Sequence, residues 1–173
     1  MDLHPVGMEL HHEIEQFLYT EAHMLDHEML REWLSTVVDP GIRYLMVVAD
    51  ERFRKDKSPA EDREVFLYDD DFGALDMRIR QFESGLQTMG NPAQRMFRMI
   101  SNVRAYHNPT DGEFTVLSYG LTSRFRRLYE NEQVAYSRKD ILKKEENGSF
   151  RLLSRRIELG ERVVRNKNLL FFL

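Results

Sequence analysis

The stretch EFTVLSYGLTSRFRRLYENEQVAYSRKDIL, residues 113–142, decides how this chain folds. Glu113 to Leu128 is rich in β-branched and aromatic residues without helical spacing, Glu130-Asn131-Glu132 is a turn signal, and Gln133 to Leu142 resumes in extended form. Two long strands joined by a short polar link predict an antiparallel pair. Working outward, Met96 to Tyr106 reads as a preceding strand, set apart by the turn Asn108-Pro109-Thr110-Asp111-Gly112. On the other side Glu145-Glu146-Asn147-Gly148 predicts a hairpin turn into a last strand, Phe150 to Val164, with Gly160 as a bulge. Residues 96–164 therefore read as long antiparallel strands. Strands of this length must coil or bulge to avoid splaying. The expectation is a strongly curved antiparallel sheet packed on the N-terminal helices, a cone with a cavity.

Before the break at Gly90-Asn91-Pro92 the chain is mainly helical. Ile14, Phe17, Leu18, Ala22 and Leu25 recur at helical spacing, which predicts a helix from Met8 to Leu25. Asp26 is placed to cap a second helix with Met29, Leu30, Trp33, Leu34 and Val37 on its inner face, so helices fill about 8–37. Asp39-Pro40-Gly41 reads as a turn and Ile42 to Val48 as the first strand. Residues 49–64 are charged, aperiodic and contain Pro59, the pattern of a mobile loop. Val65 to Tyr68 is a short extended piece. Phe72, Leu75, Ile79, Phe82 and Leu86 predict a third helix over about 72–88. The acidic run Asp69-Asp70-Asp71 at its start complements the helix dipole, a simpler reading than a metal site. An apolar tail occupies 165–173. The whole is an α+β chain organised as a single domain over 1–173.

Composition narrows the functional classes. At 173 residues, 42% hydrophobic and 31% charged, the chain is long enough to bury a core and is not disordered in character. A net charge of −4 argues against a general nucleic-acid binder. No apolar run approaches the ~20 residues that span a bilayer, and Met1 to Leu10 lacks signal-peptide character, so a cytoplasmic protein is expected. The absence of cysteine removes disulfides, thiolate zinc sites, a Cys nucleophile and Cys-ligated iron–sulfur clusters. Of the 25 basic residues nineteen are Arg. That choice suits bidentate ion-pair networks, within the chain or across an interface, although genomic bias produces the same count.

Candidate chemistry is sparse. His23 and His27 flank Asp26 at a spacing that metal ligands use on a helix. A helix boundary at Asp26 would turn the two rings apart, and surface histidines are the plainer reading. Phosphate loops, nucleophile elbows and H-E-x-x-H are missing. Asp140, Tyr119 and Tyr136 are the groups available for acid–base work in a cavity, but ion pairing or packing explains each. The late strands carry Arg124, Arg126, Arg138, Arg151, Arg155 and Arg156, with Asp140 and Glu158 as cross-strand partners. The same guanidinium forks reach carboxylates on a partner chain. No catalytic, cofactor-binding or metal-ligating residue is assigned. Arg138 and Arg156 are the charged interface candidates. Leu170, Phe171, Phe172 and Leu173 are apolar candidates, since a patch of that kind must be buried in its own fold or against a partner.

At this point the residues resemble a known family. Glu15-Gln16-Phe17-Leu18-Tyr19-Thr20-Glu21-Ala22, with Leu25-Asp26 and Trp33-Leu34, is similar to the opening of the β (small) subunit of aromatic-ring-hydroxylating dioxygenases. Arg78 and Arg80, Asn91-Pro92, Arg95, Arg98 and Ile100-Ser101-Asn102-Val103 continue the likeness. Ser137-Arg138-Lys139-Asp140, Arg155-Arg156-Ile157 and Asn168-Leu169 through Phe171-Phe172-Leu173 complete it. Ser137 stands where the family often has Gly, and Glu158-Leu159-Gly160 departs from an apolar run into Asp. The resemblance implies a fold like that of the nuclear transport factor and polyketide cyclase superfamily. It also implies a structural role beneath a catalytic α subunit, three α with three β. That α subunit would carry the Rieske cluster and mononuclear iron, fed by a ferredoxin and, behind it, a reductase, for cis-dihydroxylation of an aromatic hydrocarbon or acid. The rival expectation is a stand-alone dehydratase, isomerase or cyclase of the same fold; a weaker one is a binding module without an enzymatic partner.

Overall fold

The computed structural model describes residues 4–48, 65–84, 94–126, 130–160 and 172–173. Along them run β1 (His4–Pro5), α1 (Met8–Asp26), α2 (Leu30–Thr36), β2 (Val38–Val48), β3 (Val65–Asp70) and α3 (Phe72–Glu83), then β4 (Arg95–His107), β5 (Glu113–Arg126), β6 (Glu130–Lys144) and β7 (Phe150–Leu159). Period-two alternation governs the late strands. On β6, Val134, Tyr136, Arg138, Asp140 and Leu142 are buried, while Gln133, Ala135 and Lys139 are exposed. The buried side chains of the sheet share one core with Ile14, Leu18 and Leu25 of α1, Leu30, Trp33 and Leu34 of α2, and Leu75 and Ile79 of α3. The helices thus cover one face, and the alternate residues form an outer face.

The α+β composition is as expected, but the form of the sheet is not. The strand order is β1-β4-β5-β6-β7-β2-β3, an open arrangement that is neither strongly curled nor closed. It is also mixed: β2 runs parallel to β7, with Tyr44 beside Arg155 and Val48 beside Leu159, while the other pairings are antiparallel. The expected antiparallel cone is therefore incorrect. Turn signals report only neighbouring strands, whereas β2 takes its partner from the far end of the chain. Tyr44, Leu45, Met46, Val47 and Val48 are all buried. That pattern belongs to a strand bonded on both edges and covered on both faces. The long strands relieve their twist locally, through register shifts at Ser101/Arg104 and Ile141/Leu142, rather than by rolling up.

Smaller expectations shift for physical reasons. Asp26 does not cap α2; Met29 occupies that position without a side-chain cap, and Glu28 breaks the helix at φ 57°. The Asp26 carboxylate is engaged elsewhere, accepting from the Arg98 backbone N–H at 3.0 Å and pairing with its guanidinium. Asp39-Pro40-Gly41 lies within β2, where its turn chemistry survives as a register shift between Val38 and Arg43. Asp71 is the N-cap of α3, accepting from Ala74 N at 2.8 Å. Asp69 and Asp70 pair with Arg43 and Arg78. Gly160 follows the end of β7 rather than bulging within it. The expected loop 49–64, helix residues 85–88 and segment 161–171 lie outside the described residues.

Candidate functional site

Four charged side chains meet where α1 crosses β6 and β7. Asp140 and Arg155 are cross-strand partners. Arg155 donates from Nε and Nη2 to Asp140 Oδ1 and Oδ2, each at 2.9 Å. Its Nη1 and Nη2 donate to Glu21 Oε1 and Oε2 at 2.8 and 2.6 Å. One guanidinium therefore engages four carboxylate oxygens in two forked pairs. Arg138 joins from the same face of β6, its Nη2 3.3 Å from Asp140 and 3.5 Å from Glu21. Two positive and two negative groups balance. Trp33 Nε1 completes the shell by donating to Glu21 at 3.1 Å.

Burial raises the cost of charge on Glu21, yet Arg155 and Arg138 and the hydrogen bonds from Arg155 and Trp33 outweigh it and hold the carboxyl at about 2. Burial also opposes the charge on Arg155; the carboxylates of Asp140 and Glu21 overcome it and raise the guanidinium well above its ordinary value. A carboxylate so firmly ionised is not poised to exchange protons near neutrality, so this cluster ties elements together rather than performing acid–base chemistry.

The cluster also secures Phe172 and Leu173. Arg155 Nη1 and Tyr44 OH donate to the Leu173 backbone oxygen at 3.2 and 2.7 Å, and Leu173 N donates to Tyr44 OH at 2.9 Å. Arg98 Nη2 donates to the Phe172 oxygen at 2.7 Å. The Phe172 ring centre lies 4.8 Å from that of Trp33, and the Arg78 guanidinium lies 4.6 Å from it. Of the apolar interface candidates, Phe172 and Leu173 are thus in the core of this chain, while Leu170 and Phe171 lie outside the described residues. Arg138 is buried in the cluster; Arg156, on the alternate face of β7, lines a concavity of about 350 Å³ with Arg104, Tyr119, Lys139 and Glu158, which Arg138 also borders.

The remaining sequence candidates separate. Asp140 and Tyr136 face the helices, but Tyr119 is on the outer face, so the three do not converge. The His23 and His27 rings are not turned apart: α1 continues through Asp26, and their centres lie 4.1 Å apart with His27 Nδ1 donating to the His23 carbonyl at 2.8 Å. Among the described residues no three His, Cys, Asp or Glu side chains converge as metal ligands. Sequence reasoning missed Glu21 as a charge partner. The signal was its place on α1 between Leu18, Ala22 and Leu25, an acid on the apolar stripe.

Residues 20–166 match the family model described as "Ring hydroxylating beta subunit". The chain is 32% identical over 171 residues to the biphenyl 2,3-dioxygenase subunit beta of Rhodococcus jostii, covering 97% of this chain and 91% of that one. It is 30% identical over 171 residues, with the same coverages, to the benzene 1,2-dioxygenase subunit beta of Pseudomonas putida F1. A solved naphthalene 1,2-dioxygenase with indole bound in its active site superposes at a TM-score of 0.90, with 25% identity over 97% of this chain and 88% of that one. The chain belongs to the ring-hydroxylating beta-subunit family, as the resemblance implied.

Proposed function

We propose that this chain is the structural β subunit of an aromatic-ring-hydroxylating dioxygenase that cis-dihydroxylates an aromatic hydrocarbon. In this reading three copies hold three catalytic α subunits together. The observation that carries it is the family match across nearly the whole chain, with relatives named for benzene and biphenyl dioxygenation. The interior supports the same reading, because both carboxylates of the cluster behind the sheet are taken up by Arg155. The rival stand-alone dehydratase, isomerase or cyclase needs convergent titratable groups open to a substrate, which Asp140, Tyr119 and Tyr136 do not provide.

The iron chemistry fits the partner and not this chain. A Rieske cluster takes two Cys and two His, and the sequence has no cysteine. This reading gives the cluster, and with it the mononuclear iron, to the α subunit, with electrons from a ferredoxin and its reductase. The described residues include no helix long and apolar enough to cross a membrane. The test is purification of the tagged chain from its own cells. A larger iron-containing subunit should accompany it at equal stoichiometry, and the complex should form a cis-dihydrodiol from benzene or biphenyl. A chain that purifies alone and turns over a small molecule would establish the rival.

A further inference from the structure

The end of α1 holds a pair of imidazoles in an arrangement that plain surface histidines do not require. His23 lies in the last turn and His27 is the C-cap, both exposed and four residues apart on one helical face. Their ring centres lie 4.1 Å apart, with the planes inclined by 39°. Two nitrogens bound to one zinc ion at ordinary Zn–N lengths are at most about 4 Å apart. The rings are thus already at the spacing of a chelating pair.

One ring is also set up for ligation. A carbonyl oxygen only accepts, so His27 Nδ1 carries a proton and donates it to the His23 oxygen at 2.8 Å. In the neutral ring this leaves the lone pair on Nε2. Metal-bound histidines characteristically donate their second nitrogen to a backbone carbonyl or carboxylate, which fixes the tautomer. The other histidines are engaged differently. His11 Nε2 is 3.1 Å from the Val103 oxygen and its Nδ1 3.8 Å from Glu15. His4 and His107 are opposite one another across β1 and β4, but the His107 ring packs on Phe114 at 5.6 Å.

The helix end itself favours a cation, because its unpaired carbonyls give it a partial negative charge. The last turn closes through Glu28 N to the Leu25 oxygen at 3.4 Å and Met29 N to the Met24 oxygen at 2.9 Å. Glu28 is in the left-handed region at φ 57°, the position in such a closure that glycine usually takes. An ion held between His23 and His27 would span this turn and tie it closed.

We propose that His23 and His27 chelate one divalent transition-metal ion of the zinc, nickel and copper class, with water in the remaining positions. Imidazole suits these ions, and copper binds it most tightly. With two protein ligands the site is open and the ion exchanges with solvent, unlike closed four-ligand structural zinc sites. Its effect is to stabilise the α1–α2 corner, beyond which Trp33 enters the core. The proposal does not rest on the β-subunit role.

The test titrates the untagged, chelator-stripped chain with zinc, nickel and copper(II) ions by calorimetry at neutral pH. One equivalent should bind, most tightly for copper, and should raise the unfolding temperature. His23→Gln and His27→Gln should each weaken binding about tenfold or more, since losing one imidazole removes the second, intramolecular contact. His12→Gln and His107→Gln should leave it unchanged. In the wild-type chain, copper(II) should broaden the side-chain NMR signals of His23 and His27 before those of the other histidines. That measurement keeps the test decisive if a variant misfolds. Binding that is undiminished in either folded variant, weakened equally in the controls, or absent altogether overturns the proposal. Broadening that begins at another histidine does the same.

Discussion

Glu21 fixes the interior at the scale of single residues, because it brings a charge from α1 to Arg155 and Arg138 of the strands. Replacing it with Ala leaves Arg155 and Arg138 buried with half their compensation, and breaking a buried pair by removing one partner costs about 3–5 kcal/mol. Chemical denaturation of Glu21→Ala measures this; a loss below about 1 kcal/mol would mean that the pairing contributes little. The same carboxylate predicts an acid response. Its pKa falls from 4.5 to about 2 on folding, so the folded state binds the proton less readily than the unfolded state. Its contribution is present above pH 4.5 and is lost as pH falls towards 2, on the order of 3 kcal/mol in all. Glu21→Gln should flatten the stability profile across that window. Trp33 was legible in the sequence because a large apolar side chain within a helical stripe belongs in a core, and it is fully buried. Glu21 was not, since an acid on the stripe reads as an interruption until its arginine partners, more than a hundred residues away, are placed beside it.

The elements divide along the same line between local and distant causes. Helical spacing located α1 and α3, and the chain of turn signals located β4 to β7, because each rests on residues within a turn or two. The parallel partner of β2 has no local signature, and this is why an antiparallel cone was expected and an open mixed sheet is found. On the β5–β6 ladder the directly opposed pair Gly120 and Tyr136 predicts a sharp sensitivity. A Cβ at Gly120 would overlap the Tyr136 ring, which is buried and held through its hydroxyl at 3.2 Å from Thr122 Oγ1. Gly120→Ala should therefore cost about 1–3 kcal/mol, the range for overpacking, and Gly120→Ala with Tyr136→Phe should recover little because the ring remains. Thermal unfolding of both variants checks this. The segment containing Phe172 and Leu173 makes the complementary case. Removing the two residues strips the ring from Trp33 and Arg78 and leaves donors of Arg98 and Arg155 without acceptors. The truncated chain should lose several kcal/mol of stability and, through the fold, its assembly, which light scattering with and without the large subunit reads. An unchanged melting temperature would show that these contacts do not support the fold.

For the whole molecule, the two faces of the sheet have different tasks. The inner face closes on itself, balancing two arginines against two carboxylates beneath the helices. The outer face holds cations in a row and aromatics in the open. If the chain holds three α subunits together, the complex should weigh as three large and three small chains. Light scattering on the purified assembly gives that mass directly, and a one-to-one pair would refute the trimeric arrangement. The parallel seam between β2 and β7 also sets an order of events during synthesis. Residues 38–48 leave the ribosome about a hundred residues before 150–159, so the seam that joins β2 and β3 to the rest of the sheet stays unsewn while most of the chain is made. Until β7 arrives, one edge of the apolar run Tyr44–Val48 has no permanent neighbour, and pairings so distant in the chain form slowly. Nascent chains stalled before residue 150 should therefore be the ones that chaperones hold and that clump when chaperones are scarce.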